Sequence, residues 1–196
     1  MAQNKVFIIH GWDGYPEEGW FPWLKTSLEK AGSAVFIPAM PDTEKPTIDA
    51  WVNFLAMAVG QPDLNTFFVG HSIGCQAILR YLAGLPAGVK VGGAILVAPW
   101  MKLDQATIEE EGEEAVAIAR PWIETPIDFS KVNTHLNAVT VIFSDNDPFV
   151  PLDQAEFFRL ELKAKVIIEK NKGHFSGSDN VKVLPSALKE LAELEK

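Results

Sequence analysis

A chain of 196 residues is long enough for a domain with a full hydrophobic core, and 47% apolar with 22% charged residues is a globular balance. The net charge of −9 argues against nucleic acid and anionic membrane as partners. A single cysteine, Cys75, excludes an intramolecular disulfide and a cysteine-built metal site, and no stretch approaches the roughly 20 apolar residues of a membrane helix.

The first apolar run, residues 6–9, is too short for the core of a signal peptide and reads directly as a strand, so cytoplasmic residence is expected. A glycine-containing loop, His10-Gly11-Trp12-Asp13-Gly14, follows it. Further short runs rich in β-branched or aromatic residues predict strands at 34–37, 66–69, 94–97, 139–143 and 165–168. Helical patterns fall between and after them, at 20–30, 48–59, 75–85, 152–162 and 181–195. The strands are nearly continuous apolar runs, as in parallel strands buried on both faces. Alternation of this kind predicts an α/β fold of three layers, α/β/α, with a mainly parallel sheet of about six strands. Between the fourth and fifth strands the pattern breaks. Residues 101–128 hold two basic and eight acidic residues, a net charge of −6, and read as a short helical cap inserted into a single domain spanning 1–196. Within it, a helix is expected near 104–119, followed by an aromatic turn at Arg120-Pro121-Trp122. The acidic run at 109–114 reads as a solvated helix face.

Gly70-His71-Ser72-Ile73-Gly74 stands between the third strand and the helix behind it. This is the G-x-S-x-G pattern of a nucleophile elbow, with glycines where a side chain would collide with the neighbouring strand or helix. A serine hydroxyl is a weak nucleophile and needs a base, and the base needs an acid to hold its tautomer. Of the four histidines, His174 lies in a loop directly after the last strand, at the sheet edge on which the elbow opens. His71 follows the turn residue Gly70 and points away from its neighbour Ser72, so a packing or hydrogen-bonding role is expected. His135 reads as a surface residue, and Cys75 as a small core residue. The acid is expected on the loop after the fifth strand, where Asp145 and Asp147 compete. Asp147, beside Pro148 in the turn into the next helix, is the better placed; Asp145 reads as a turn residue bonding its own backbone. The oxyanion donors are expected to be the backbone N–H of Ile73, at a helix N-terminus, and that of Trp12. His10, Trp12, Tyr15, Trp100, Trp122, Phe149 and Phe175 are candidates to line an apolar pocket, since most follow strand ends or sit in the insertion.

Taken together, these motifs resemble the α/β-hydrolase superfamily, and more narrowly the small serine hydrolases grouped with retinoblastoma-binding protein nine. The likeness runs over nearly the whole chain and adds Met40-Pro41-Asp42, Arg120-Pro121-Trp122, residues 145–151 and Gly173-His174-Phe175 to the elbow. It implies Ser72, Asp147 and His174 as the triad and a short cap rather than a large lid. Two features depart from it: the loop at 10–14 is of the HGW type, and no L-x-C-x-E segment is present, so binding to the retinoblastoma protein is not implied.

The expected activity is hydrolysis of small carboxylic esters, with thioesters or amides as further substrates, through an acyl-enzyme and without metal or cofactor. The alternatives are an inactive hydrolase-fold binding protein, and a triad enzyme that performs acyl transfer or perhydrolysis. The expected partner is a small-molecule ester, on a monomer or weak homodimer, with neither nucleic acid nor membrane.

Overall fold

The computed structural model describes residues 3–195. Within them lie six strands, β1 (Lys5–Ile9), β2 (Ala34–Phe36), β3 (Thr66–His71), β4 (Gly93–Val97), β5 (Val139–Ser144) and β6 (Lys165–Glu169). They form one all-parallel sheet in the order β2-β1-β3-β4-β5-β6. Eight helices connect or follow them: α1 (Phe21–Lys30), α2 (Ile48–Val59), α3 (Ile73–Ala83), α4 (Gln105–Glu110), α5 (Glu113–Glu124), α6 (Phe129–His135), α7 (Gln154–Glu161) and α8 (Pro185–Leu194). No helix among the described residues is long and apolar enough to cross a membrane.

Every strand falls where the apolar runs predict it, because the central strands are covered on both faces. β3, β4 and β5 are buried at every position. The two edge strands are less covered, and Phe36 of β2 and Ile168 of β6 are exposed. On the helical layers, α1 packs on α8, while α2 packs on α3 and α3 on α6. β3 runs two residues further than its apolar run, since Gly70 and His71 still pair with Leu96 and Val97 of β4. The turn at Ser72 is therefore a single residue, and α3 begins immediately after it.

The insertion departs from expectation in two ways. The helix anticipated at 104–119 is a pair, α4 and α5, broken at Gly112, whose φ of 104° an L-residue avoids. Arg120-Pro121-Trp122 is no turn but the last part of α5. Beyond it the polar stretch around His135 forms α6, started by Asp128, whose side chain accepts the Lys131 N–H. His135 is buried, not superficial, with Nδ1 2.7 Å from the Val89 carbonyl. A short polar sequence carries too little periodicity to announce a helix that is held by contact with α3.

Candidate active site

Ser72 has φ 52° and ψ −125°, a conformation costly for any residue with a side chain. Its surroundings hold it there. The Ser72 N–H donates to the Val97 carbonyl at 2.9 Å, and its carbonyl accepts from Cys75 N at 3.0 Å. The flanking glycines are sterically required. A Cβ on Gly74 would lie 2.5 Å from His10 O and 2.6 Å from Ile9 O on the β1 side. One on Gly70 would lie 2.9 Å from the backbone of Cys75 in α3. The turn therefore wedges between strand and helix and presents its hydroxyl above the C-terminal edge of the sheet.

His174 reaches that hydroxyl from the loop after β6. Its Nε2 is 2.8 Å from Ser72 Oγ, and its Nδ1 is 2.8 Å from Asp147 Oδ2. A carboxylate facing Nδ1 keeps the proton on that nitrogen, which leaves Nε2 free to accept from the serine O–H. The second oxygen of Asp147 accepts the N–H groups of Phe149 and Val150 at 2.9 and 3.0 Å. Asp147, not Asp145, thus makes the bonds to its own backbone, whereas Asp145 accepts from Asn171 N at 2.8 Å. That contact is one of three between the two loops. Ser144 Oγ accepts from Lys172 N at 3.0 Å, and Asn146 Oδ1 from Gly173 N at 2.9 Å. The loop that carries Asp147 therefore holds the loop that carries His174, so their relative position does not depend on the contact between those two side chains alone. Asp179 adds a fourth brace, accepting the His174 N–H at 2.9 Å.

His71 also supports this loop. Its ring is buried, and its Nε2–H donates to the His174 carbonyl at 2.7 Å. Burial first, and then the neighbouring His174 ring, push its pKa down to about 3, so it stays neutral and keeps the tautomer that donates. Sequence alone pointed to packing or a hydrogen bond here, without naming a partner. Ile73 is the first residue of α3, where an amide has no acceptor in its own helix. The loop of Gly11 and Trp12 lies against Ser72: a Cβ on Gly11 would be 3.3 Å from Ser72 Cβ.

Ser72 and His174 open into a cavity of about 630 Å³. Trp12, Trp100 and Phe149 line it, as expected from their positions after strand ends. Leu103, Ile108, Ala115 and Ile118 complete an apolar wall supplied by the insertion. Asp13, Glu18, Glu44, Glu111 and Glu114 also border it, with Lys45 paired to Glu114 at 2.6 Å. Four expected pocket residues do not line it. His10 is fully buried, accepts the Met40 N–H on Nε2 at 3.0 Å and packs edge-on against Trp51. Trp122 is fully buried against the same Trp51, and its N–H goes to the Pro46 carbonyl. Phe175 turns into the core beneath the histidine loop, and its carbonyl accepts the Trp20 N–H. Tyr15 stands in solvent. A position after a strand end places a residue near the cavity but does not choose the side its ring faces.

Comparison with known proteins gives the family and the fold. The model of the serine hydrolase family matches residues 6–193. YdeN of Bacillus subtilis (strain 168) is 30% identical over 182 residues, which cover 93% of this chain and 91% of that protein. The crystal structure of the ydeN gene product superposes with a TM-score of 0.86 at 29% identity, covering 98% of each chain. Serine hydrolase RBBP9 of Rattus norvegicus is 26% identical over 182 residues, 91% of this chain and 90% of that protein. At fold level the likeness extends to Est1E from Butyrivibrio proteoclasticus, with a TM-score of 0.73 and 18% identity, over 98% of this chain and 88% of the other.

Proposed function

The chain belongs to the serine hydrolase family, and from that premise we propose that it cleaves small carboxylic esters through an acyl-enzyme on Ser72. One observation carries the reading: the unbroken hydrogen-bonded row from Asp147 Oδ2 through His174 to Ser72 Oγ, each step 2.8 Å. In the proposed reaction His174 Nε2 takes the hydroxyl proton as Oγ attacks the carbonyl carbon. The same proton then passes to the departing alcohol. Asp147 holds the imidazole in the accepting tautomer and stabilises it once charged. The amides of Ile73 and Trp12 are the proposed donors to the oxyanion, the first reinforced by the dipole of α3. Water activated by the neutral imidazole then releases the acid. The apolar wall of the cavity suits an acyl chain or an uncharged alcohol.

The test is a screen over p-nitrophenyl acyl esters together with labelling by a fluorophosphonate probe. Wild type is expected to turn over and to label. Ser72→Ala should lose both, with turnover down by several orders of magnitude and thermal unfolding nearly unchanged. Turnover retained by Ser72→Ala would refute the assignment, and a wild type that neither labels nor turns over would favour a binding module. Product analysis with an alcohol or peroxide present separates hydrolysis from acyl transfer and perhydrolysis.

A further inference from the structure

Four tryptophans are buried almost completely, Trp20, Trp51, Trp100 and Trp122. A buried indole N–H needs an acceptor. Three find a backbone carbonyl: Trp20 that of Phe175 at 3.0 Å, Trp51 that of Pro41 at 2.8 Å and Trp122 that of Pro46 at 3.0 Å. Trp100 differs. Its Nε1–H donates to Ser72 Oγ at 3.3 Å, the atom that also faces His174 Nε2 at 2.8 Å. We propose that Trp100 is a catalytic residue whose indole N–H stabilises negative charge on Ser72 Oγ as that oxygen enters and leaves its bond to the acyl carbon. The inference rests on the acyl-enzyme reading above.

The roles of donor and acceptor are set by chemistry. Indole N–H only donates, and an imidazole protonated on Nδ1 only accepts at Nε2. The single O–H of Ser72 therefore goes to His174, and one lone pair of Oγ takes the Trp100 N–H. The other lone pair remains for the substrate. In acylation the O–H bond breaks and its proton moves to Nε2. The Oγ pair forms the bond to the carbonyl carbon, and the carbonyl π pair shifts onto its own oxygen. Deacylation ends with the reverse at the same atom: the C–Oγ bond breaks, its electron pair stays on Oγ, and Nε2–H returns a proton. In both steps Oγ is most anionic while the proton sits on His174. At that moment two donors face it, Nε2–H and Nε1–H. A hydrogen bond to an anionic oxygen is stronger than one to a neutral hydroxyl, so the indole favours these transition states over the resting enzyme. The surroundings sharpen the effect, since Trp100 is 1% and Ser72 7% exposed and water is largely kept from competing.

Trp100→Phe keeps an aromatic ring and removes the donor. Burst kinetics with p-nitrophenyl acetate and butyrate resolve acylation from deacylation. Both rate constants are expected to fall roughly tenfold, the worth of one hydrogen bond, and by similar factors for the two acyl groups. Labelling of Ser72 by fluorophosphonate should still go to completion. A residue that merely shaped the pocket would change KM, act differently on acetyl and butyryl, and leave acetyl deacylation at the wild-type rate; that result would overturn the proposal. If Trp100→Phe fails to fold, Trp100→3-benzothienylalanine keeps the outline of the ring, replaces N–H by sulfur and is read by the same criteria. An active wild type with unchanged variant rates defeats the role of Trp100 alone. An inactive, unlabelled wild type defeats the hydrolase reading beneath it.

Discussion

Gly74 and Asp147 show how narrowly single residues are constrained around Ser72. The Cβ that alanine would add at Gly74 meets the carbonyl oxygens of His10 and Ile9 at 2.5 and 2.6 Å, backbone atoms that cannot swing aside. Gly74→Ala should therefore destabilise the protein by about 1–3 kcal/mol, read as a lower urea midpoint with an unchanged slope. Gly84→Ala is the control. Its nearest neighbour would be 3.4 Å away and its φ of −89° suits alanine, so a change within about 0.5 kcal/mol is expected. At Asp147, asparagine preserves the turn through one oxygen but presents N–H to His174 Nδ1. The imidazole then carries its proton on Nε2 and has no lone pair for Ser72. Asp147→Asn should lower kcat by roughly 10³–10⁴-fold while labelling weakens and thermal unfolding barely moves. Loss of less than about tenfold would point to Asp145 or another acid.

Helices α4 and α5 shape what the cavity offers a ligand. α4 and α5 turn apolar residues inward and leave Glu111 and Glu114 at the cavity border, opposite Asp13, Glu18 and Glu44 from the hydrolase body. Partial burial, and then the charge of Glu44, raise the pKa of Asp13, a sign that carboxylates crowd this entrance. Lys45 is the basic residue of the lining and is already paired with Glu114. That pair is exposed on both sides and is weakened by salt. Esters bearing a free carboxylate should therefore show a kcat/KM several-fold below that of neutral esters of equal length at low ionic strength. The gap should narrow as salt rises, because the border charges are solvent-screened. Equal values at low salt would remove this selectivity. In sequence the acidic run reads as a solvated face, and all five of its glutamates are exposed. Two of them, Glu111 and Glu114, on either side of Gly112, also border the cavity.

For the molecule as a whole, acid stability follows from two histidines folded into the interior. Burial lowers the pKa of His10, and burial then His174 push His71 from 6.5 to about 3. Below 6.5 the unfolded chain takes up a proton at each of them, which folded His71 refuses until about pH 3. Stability is then complete above that upper value and falls with pH through the window, by up to about 1.4 kcal/mol per pH unit for each such group. His71→Gln, whose amide still donates to the His174 carbonyl, should flatten the urea midpoint between pH 6 and 4; an unchanged slope would mean His71 titrates in the native state. Six strands and the tight turn at Ser72 were legible in the chain, because burial on both faces and tight turns impose local residue patterns. The helix at 129–135 was not, since contact with α3 rather than periodicity holds it. Nor were the inward faces of Trp122, Phe175 and His10, the lacing of Ser144, Asp145 and Asn146 to the histidine loop, or the bond from Trp100 to Ser72. The chain by itself determined which residue types stand at which strand ends. Only the tertiary structure decided which of them touch, because those contacts depend on the relative placement of loops up to about a hundred residues apart, and no local pattern encodes the direction of a side chain across such a gap.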